Sequence, residues 1–184
     1  MAIVHFVSMQ AERYHERISD DPLPRIITTV TDGRIPYFSI PAFAKLAYDQ
    51  VFWSAKHRAI RLYAFAVMPD HVHIIADIHG DHDIGEFMHS FKRYISRQVG
   101  KWHDEIHNQR MSRQPVWQPS FHQKLICSRG SMVERIYYVA NNAVKHGIVK
   151  NRDEYPWAYV APEYEYIADA NVEGGVINPA FWTA

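Results

Sequence analysis

The stretch Ala59-Ile60-Arg61-Leu62-Tyr63-Ala64-Phe65-Ala66-Val67-Met68-Pro69-Asp70-His71-Val72-His73-Ile74-Ile75-Ala76-Asp77-Ile78 decides the fold. Two apolar, strand-prone runs flank the turn signal Met68-Pro69-Asp70, so the spacing predicts a β-hairpin with the two histidines early in its second strand. Side chains alternate across a strand. His71 and His73 therefore share one face while Val72 turns to the core.

Outward from the hairpin, each flank supplies one helix and one strand. Upstream, Ile26 to Thr31 reads as a first strand closed by Asp32-Gly33, and Pro41 opens a helix whose Phe43, Leu46, Ala47, Val51 and Phe52 recur at helical spacing to about Ala55. Downstream, Asp83 and Glu86 form a capping pair for a helix running to about Trp102, with Phe87, Met88, Phe91, Tyr94, Ile95, Val99 and Trp102 on one apolar face. A polar stretch from His103 to Gln114 separates that helix from a strand within Val116 to Cys127, interrupted around Pro119-Ser120. A second capping box, Ser131 and Glu134, is expected to start a helix that carries Tyr137, Tyr138 and Asn142 and stops near Gly147.

The order β-α-β-β-α-β-α follows, and its first six elements match a ferredoxin-like α+β fold: an antiparallel sheet with helices on one face, plus an added C-terminal helix. Three regions are expected: an N-terminal extension over 1–24, a catalytic domain over 25–152 and an acidic, aromatic C-terminal tail over 153–184. Pro156, Pro162, Gly174, Gly175 and Pro179 in the last region predict a tail that packs loosely or orders on a partner. Within it, Trp157, Tyr159, Tyr164 and Tyr166 divide evenly between stacking on bases and covering the core edge.

Composition bounds the classes of function. The 184 residues suffice for one domain with a real core, and no apolar run reaches the ~20 residues of a membrane helix. The first seven residues lack a basic start and a long apolar stretch, so a secretory signal is not expected. Cys127 is the single cysteine, which excludes an internal disulfide, suits a cytoplasmic protein and reads as a buried thiol. The formal net charge of zero hides an asymmetry: Glu86 to Arg152 holds twelve Lys and Arg against four Asp and Glu, while Asp153 to Ala184 holds six acidic residues and no Lys or Arg. A basic body with an acidic tail is an electrostatic footprint for a phosphate backbone. Arg93, Arg97 and Lys101, at i, i+4 and i+8, form a basic stripe able to track one.

The chemistry comes from residues distant in sequence. His71 and His73 offer two imidazoles to a divalent cation, Tyr138 offers a phenol, and Asn142, four residues on along a helix, offers a neutral oxygen. Mg²⁺ or Mn²⁺ would leave coordination positions open to phosphate oxygens, whereas a closed zinc site would want cysteines that the chain lacks. Tyrosine attack on a phosphodiester conserves the bond in a phosphotyrosine linkage, which is the logic of strand transfer. Tyr137 points about 100° away from Tyr138 around the helix and is expected to pack, as is Tyr94. His79-Gly80-Asp81-His82-Asp83 reads as a turn with a helix cap.

In this order the motifs resemble those of the single-tyrosine HUH transposases of the insertion sequence 200-like group, particularly the REP-associated tyrosine transposases. The resemblance runs from about Ile26 to Tyr159. It is carried by the stretch from Tyr63 to Ile75, by Ser90-Phe91-Lys92-Arg93-Tyr94, by Trp117-Gln118-Pro119-Ser120-Phe121-His122, and by Tyr138-Val139-Ala140-Asn141-Asn142-Ala143-Val144-Lys145-His146-Gly147-Ile148-Val149. It implies that His71 and His73 bind the metal, that Asn142 is the third ligand, and that Tyr138 is the nucleophile. It also implies a single-stranded hairpin DNA substrate, cut to leave a 5′-phosphotyrosine and a free 3′-hydroxyl by a monomer or homodimer away from membranes. The alternative is a catalytically weak module that binds hairpins to regulate or organise repeats.

Overall fold

The computed structural model describes residues 23–78, 84–107 and 115–169. Five strands form one antiparallel sheet: β1 (Arg25–Val30), β2 (Arg61–Met68), β3 (His71–Asp77), β4 (His122–Leu125) and β5 (Ala158–Val160), in the spatial order β4-β1-β3-β2-β5. The predicted hairpin is its centre, with Met68 opposite His71 and Ala66 opposite His73. The expected order of strands and helices holds through the third long helix. α1 (Pro41–His57) begins on its proline, α2 spans Ile84–His107 and α3 spans Arg129–Ala140. Asp83 and the His79 to Asp83 turn lie outside the described residues.

Alternation along the strands divides the interior into two layers. Ile27, Phe65, Val67, Val72 and Ile74 face α1 and α2 in a layer rich in large rings. Ile26, Ala64, Ala66, Met68 and Ile75 face α3, with Ile136, Val139 and Ala140 opposite them. The pairing of β2 with β3 slips between Leu62 and Ala64, so that Tyr63 and Ala64 both join the α3 layer while Leu62 packs into the other. That is the effect of a β-bulge: one extra residue changes which side chains share a face. The ferredoxin-like reading therefore holds, with α1 and α2 on one face and the added helix α3 covering the other.

Several expectations need correction. The stretch from Asp153 is not loosely packed as far as Asp169: β5 extends the sheet along β2, and Tyr155 Oη donates to Val67 O at 2.6 Å. Trp157 and Tyr159 pack on the large-ring layer, with Tyr159 4.8 Å from Phe52 between ring centroids, and a short helix α5 (Glu165–Ala168) inserts Ile167 and Ala168 beneath α3. Without this segment β2 would leave a hydrogen-bonding edge bare and α3 an apolar flank, and the segment closes over both. Tyr166 stays exposed.

The cap of α3 is Ser128, which accepts from Ser131 N, three residues before the predicted start. The helix also breaks at Asn141 and resumes as the short α4 (Asn142–Lys145) before Gly147 ends it with φ 66°. Tyr94 and Trp102 sit at an exposed rim, since α2 directs only Phe87, Met88, Phe91, Ile95 and Val99 fully inward. Cys127 is exposed, just past the end of the edge strand β4. No helix among the described residues is long and apolar enough to cross a membrane.

Candidate active site

Three neighbouring segments build the site on the α3 side of the sheet. The turn between β2 and β3 is pinned from the end of β1, where Thr31 N donates to Asp70 O at 2.8 Å and Thr31 Oγ1 donates to the same carbonyl at 3.0 Å. Asp70 then orients the first histidine. A carboxylate can only accept, so His71 Nδ1 carries the proton and donates to Asp70 Oδ1 at 2.6 Å, leaving Nε2 as a lone-pair donor. Arg34 Nη1 donates to the other carboxylate oxygen at 3.0 Å. Burial would raise the Asp70 pKa, but the hydrogen bonds and charges of His71 and Arg34 outweigh it and hold the carboxyl below its usual range.

Thr28 and His73 are register partners across the β1–β3 ladder, and Thr28 Oγ1 lies 2.8 Å from His73 Nδ1. His73 is 7% exposed, and burial first, then the neighbouring His71 and His146, push its pKa down to about 3. It is neutral at physiological pH. When Nδ1–H donates to Thr28 Oγ1, Nε2 keeps its lone pair, and that buried atom has no hydrogen-bond partner among the described residues.

The third segment is the end of α3. Ala140 and Ala143 on the helices face Ala64 and Ala66 on the sheet, small residues that let the helix sit close above the hairpin. Tyr138 emerges there with its ring centroid 5.4 Å from that of His73, in an edge contact at 67°. The two histidine rings are 4.8 Å apart. The phenol ring and both imidazoles thus come together within one chain. Tyr137 packs into the α3 layer, as expected.

Asn142 is completely buried, and neither the oxygen nor the nitrogen of its side-chain amide has a partner among the described residues. A buried amide costs free energy when left unpaired, so this group is suited to a ligand. Among the described residues no group of three or more His, Cys, Asp and Glu side chains is arranged to hold a metal ion. A cation at the histidine pair would need further ligands, for which neutral oxygens are of suitable hardness. The two orphaned groups, His73 Nε2 and the Asn142 amide, fit that donor set.

Four residues of this neighbourhood were not singled out from the sequence. Thr28 and Asp70 orient the imidazoles; their signals are strand alternation and the position preceding His71. Lys145 holds its ammonium 4.9 Å from the centroid of the Tyr138 ring, seven residues on and so two helical turns away. His146 stands 6.3 Å from His71 between ring centroids. The break at Asn141 aims this last turn back toward the hairpin, and no spacing in the sequence announces it. The basic stripe lies elsewhere. Arg93, Arg97 and Lys101 are exposed on α2, across the sheet from Tyr138.

With this geometry in place, comparison with known proteins gives the following. The family model described as "Transposase IS200 like" matches residues 28–142, which include His71, His73, Tyr138 and Asn142. A protein of Haemophilus influenzae that carries the name of a REP-associated tyrosine transposase is 24% identical over 117 residues, 61% of this chain. The chain spans 64% of that relative's own length. Among solved structures, a REP-associated tyrosine transposase bound to a REP hairpin superposes with a TM-score of 0.61 at 20% identity, over 74% of this chain and 76% of that one, which establishes a shared fold.

Proposed function

Because the chain belongs to the IS200-like transposase family, we propose that it is a DNA transposase that nicks and rejoins single-stranded hairpin DNA through Tyr138. The observation that carries this reading is the 5.4 Å approach of the Tyr138 and His73 rings. The Haemophilus relative's name and the hairpin bound by the structural neighbour support the choice of substrate.

In the proposed reaction, Tyr138 Oη forms a bond to phosphorus as the P–O3′ bond breaks. The phenolic proton passes to water and the departing 3′ oxygen takes one up. The products are a 5′-phosphotyrosine on the enzyme and a free 3′-hydroxyl, and the reverse attack by a 3′-hydroxyl joins strands. His71, His73 and Asn142 would hold Mg²⁺ or Mn²⁺, which when bound supplies Lewis-acid polarisation of a non-bridging phosphate oxygen. Asp70 and Thr28 fix the imidazole tautomers for that duty. Lys145 offers a positive charge beside the phenol to the attacked phosphate. Since the histidine pair and Tyr138 meet within one chain, a monomer contains a complete set of these groups.

The test is covalent trapping of a labelled single-stranded hairpin. The parent protein and Tyr137→Phe are expected to form an adduct that survives denaturation, and Tyr138→Phe to form none. A hairpin bound without any adduct by the parent would favour the binding-module alternative, and turnover persisting in Tyr138→Phe would indicate attack by water.

A further inference from the structure

The face of the sheet opposite Tyr138 carries a feature that the nicking reaction does not use. Between α1 and α2 lies an open groove of about 710 Å³, lined in part by Trp53, Arg58, His89, Arg93, Tyr94 and Arg97. Trp53 is 50% exposed and Tyr94 38%, and the Trp53 indole lies stacked on His57 at 4.0 Å and 27°. Large rings left half in water on an otherwise well-packed helix pair are costly positions for a purely structural role. Arg58, Arg93 and Arg97 have no ion-pair partner among the described residues, and Glu86 is the sole carboxylate of the lining. Exposed ring faces interleaved with free guanidinium groups match one ligand chemistry closely: nucleobases that are unpaired, with phosphates between them. A paired stem would hide the base faces that Trp53 and Tyr94 are placed to meet.

We propose that the α1–α2 groove is a second nucleic-acid site, taking an unpaired stretch of the substrate strand with bases stacked on Trp53 and Tyr94 and phosphates held by Arg58, Arg93 and Arg97. The groove and the Tyr138 site lie on opposite faces of the sheet. The stretch held here is therefore a flank of the hairpin rather than the nucleotides being cut. This assignment rests on the reading of the chain as a DNA-processing enzyme, but its test does not use cleavage.

The experiment measures fluorescence anisotropy with the full chain and two labelled probes: a blunt, fully paired DNA hairpin, and the same hairpin with a twelve-nucleotide oligothymidine flank. The parent should bind the flanked probe at least about 10-fold more tightly, since stacking contributes roughly 1–3 kcal/mol per base. The Trp53→Ala/Tyr94→Ala double variant should lose that advantage with its blunt-hairpin affinity intact, and Trp53→Phe/Tyr94→Phe should keep most of it. Arg93→Gln/Arg97→Gln should reduce the salt slope of flank binding by about 1.4, the counterion release expected from two phosphates on a single strand. Equal affinity of the parent for both probes would overturn the proposal. So would a double alanine variant that weakens both probes alike, the result expected if the groove holds the paired stem, or one that changes neither. An adduct at Tyr138 without a flank advantage would sink this proposal alone, whereas a flank advantage without an adduct would sink the nicking reaction alone.

Discussion

The two faces of the central sheet are made of different material, and the difference separates what holds the chain together from what reacts. On the α1–α2 face, β2 contributes Phe65 and Val67, and Phe65 alone meets Tyr48, Phe52 and Tyr159 at ring separations of 4.9, 5.0 and 5.5 Å. On the α3 face the same strand contributes Ala64 and Ala66, and the neighbouring strands place Thr28 and His73 where a core would ordinarily hold aliphatics. Small residues bring a helix close enough to present Tyr138, and His73 Nε2 and the Asn142 amide are left without partners among the described residues. Alternation along single strands is enough to keep these two environments apart.

The largest expected effect lies on the reactive face. His71→Ala or His73→Ala should lower adduct formation by about 1,000-fold, roughly 4 kcal/mol of transition-state stabilisation, while leaving hairpin binding largely intact. A chelator should do the same to the parent, with Mn²⁺ restoring activity. Single-turnover trapping and anisotropy measure the two quantities side by side. Undiminished cleavage in both histidine variants would show that this face is not where the reaction occurs.

On the structural face the order of effects should reverse. Phe65→Ala removes a fully buried ring from the aromatic layer and is expected to cost about 3–5 kcal/mol of stability. It should appear as a lower denaturant midpoint at unchanged slope. His73→Ala removes a smaller buried ring and its bond to Thr28, and should lower that midpoint by clearly less. If the two variants were equally destabilised, the division of labour between the faces would fail.

A smaller effect tests how the reactive face is kept in register. Thr28→Val keeps the shape beneath His73 and deletes its oxygen partner, so the imidazole loses the contact that selects its tautomer. Metal affinity read by titration should fall by about 10–100-fold, with stability changed far less. Thr28→Ser should retain most of the affinity, because it restores the oxygen alone.

The long elements were legible because their apolar residues recur at one period over many positions. The hairpin from Arg61 to Asp77 and helix α1 fall within a few residues of where alternation and helical spacing put them. His71, His73 and Tyr138 were legible as types of residue. Their meeting was not derivable from spacing, since it depends on small alanines that let α3 approach. The closing segment was misread for a specific reason. Pro156 and Pro162 bracket a strand of three residues, too short for a periodic signal, and what recruits it is the bare edge of β2. Asp70 and Lys145 were passed over because each looks like an ordinary surface charge until the turn and the break at Asn141 are seen in three dimensions.

That break offers the finest test of how the closing segment supports the reactive face. Asn141 ends α3, and its side-chain Nδ2 donates both to Tyr137 O at 3.2 Å and to Ala168 O at 3.0 Å, so one amide ties the helix end to α5. Asn141→Ala removes both bonds and should cost about 1 kcal/mol, the net worth of such hydrogen bonds once water competes. The loss should be local. Amide exchange should quicken in Glu165–Ala168 and in the Asn142–Lys145 turn, and the sheet centre should exchange as before. Because Lys145 ends that turn and His146 follows it, adduct formation should slow by a small factor without loss of the histidine pair. Uniformly faster exchange across β1, β2 and β3 would mean that the closing segment supports the whole fold. Unchanged exchange around Asn142 would mean that the turn holds its shape without α5.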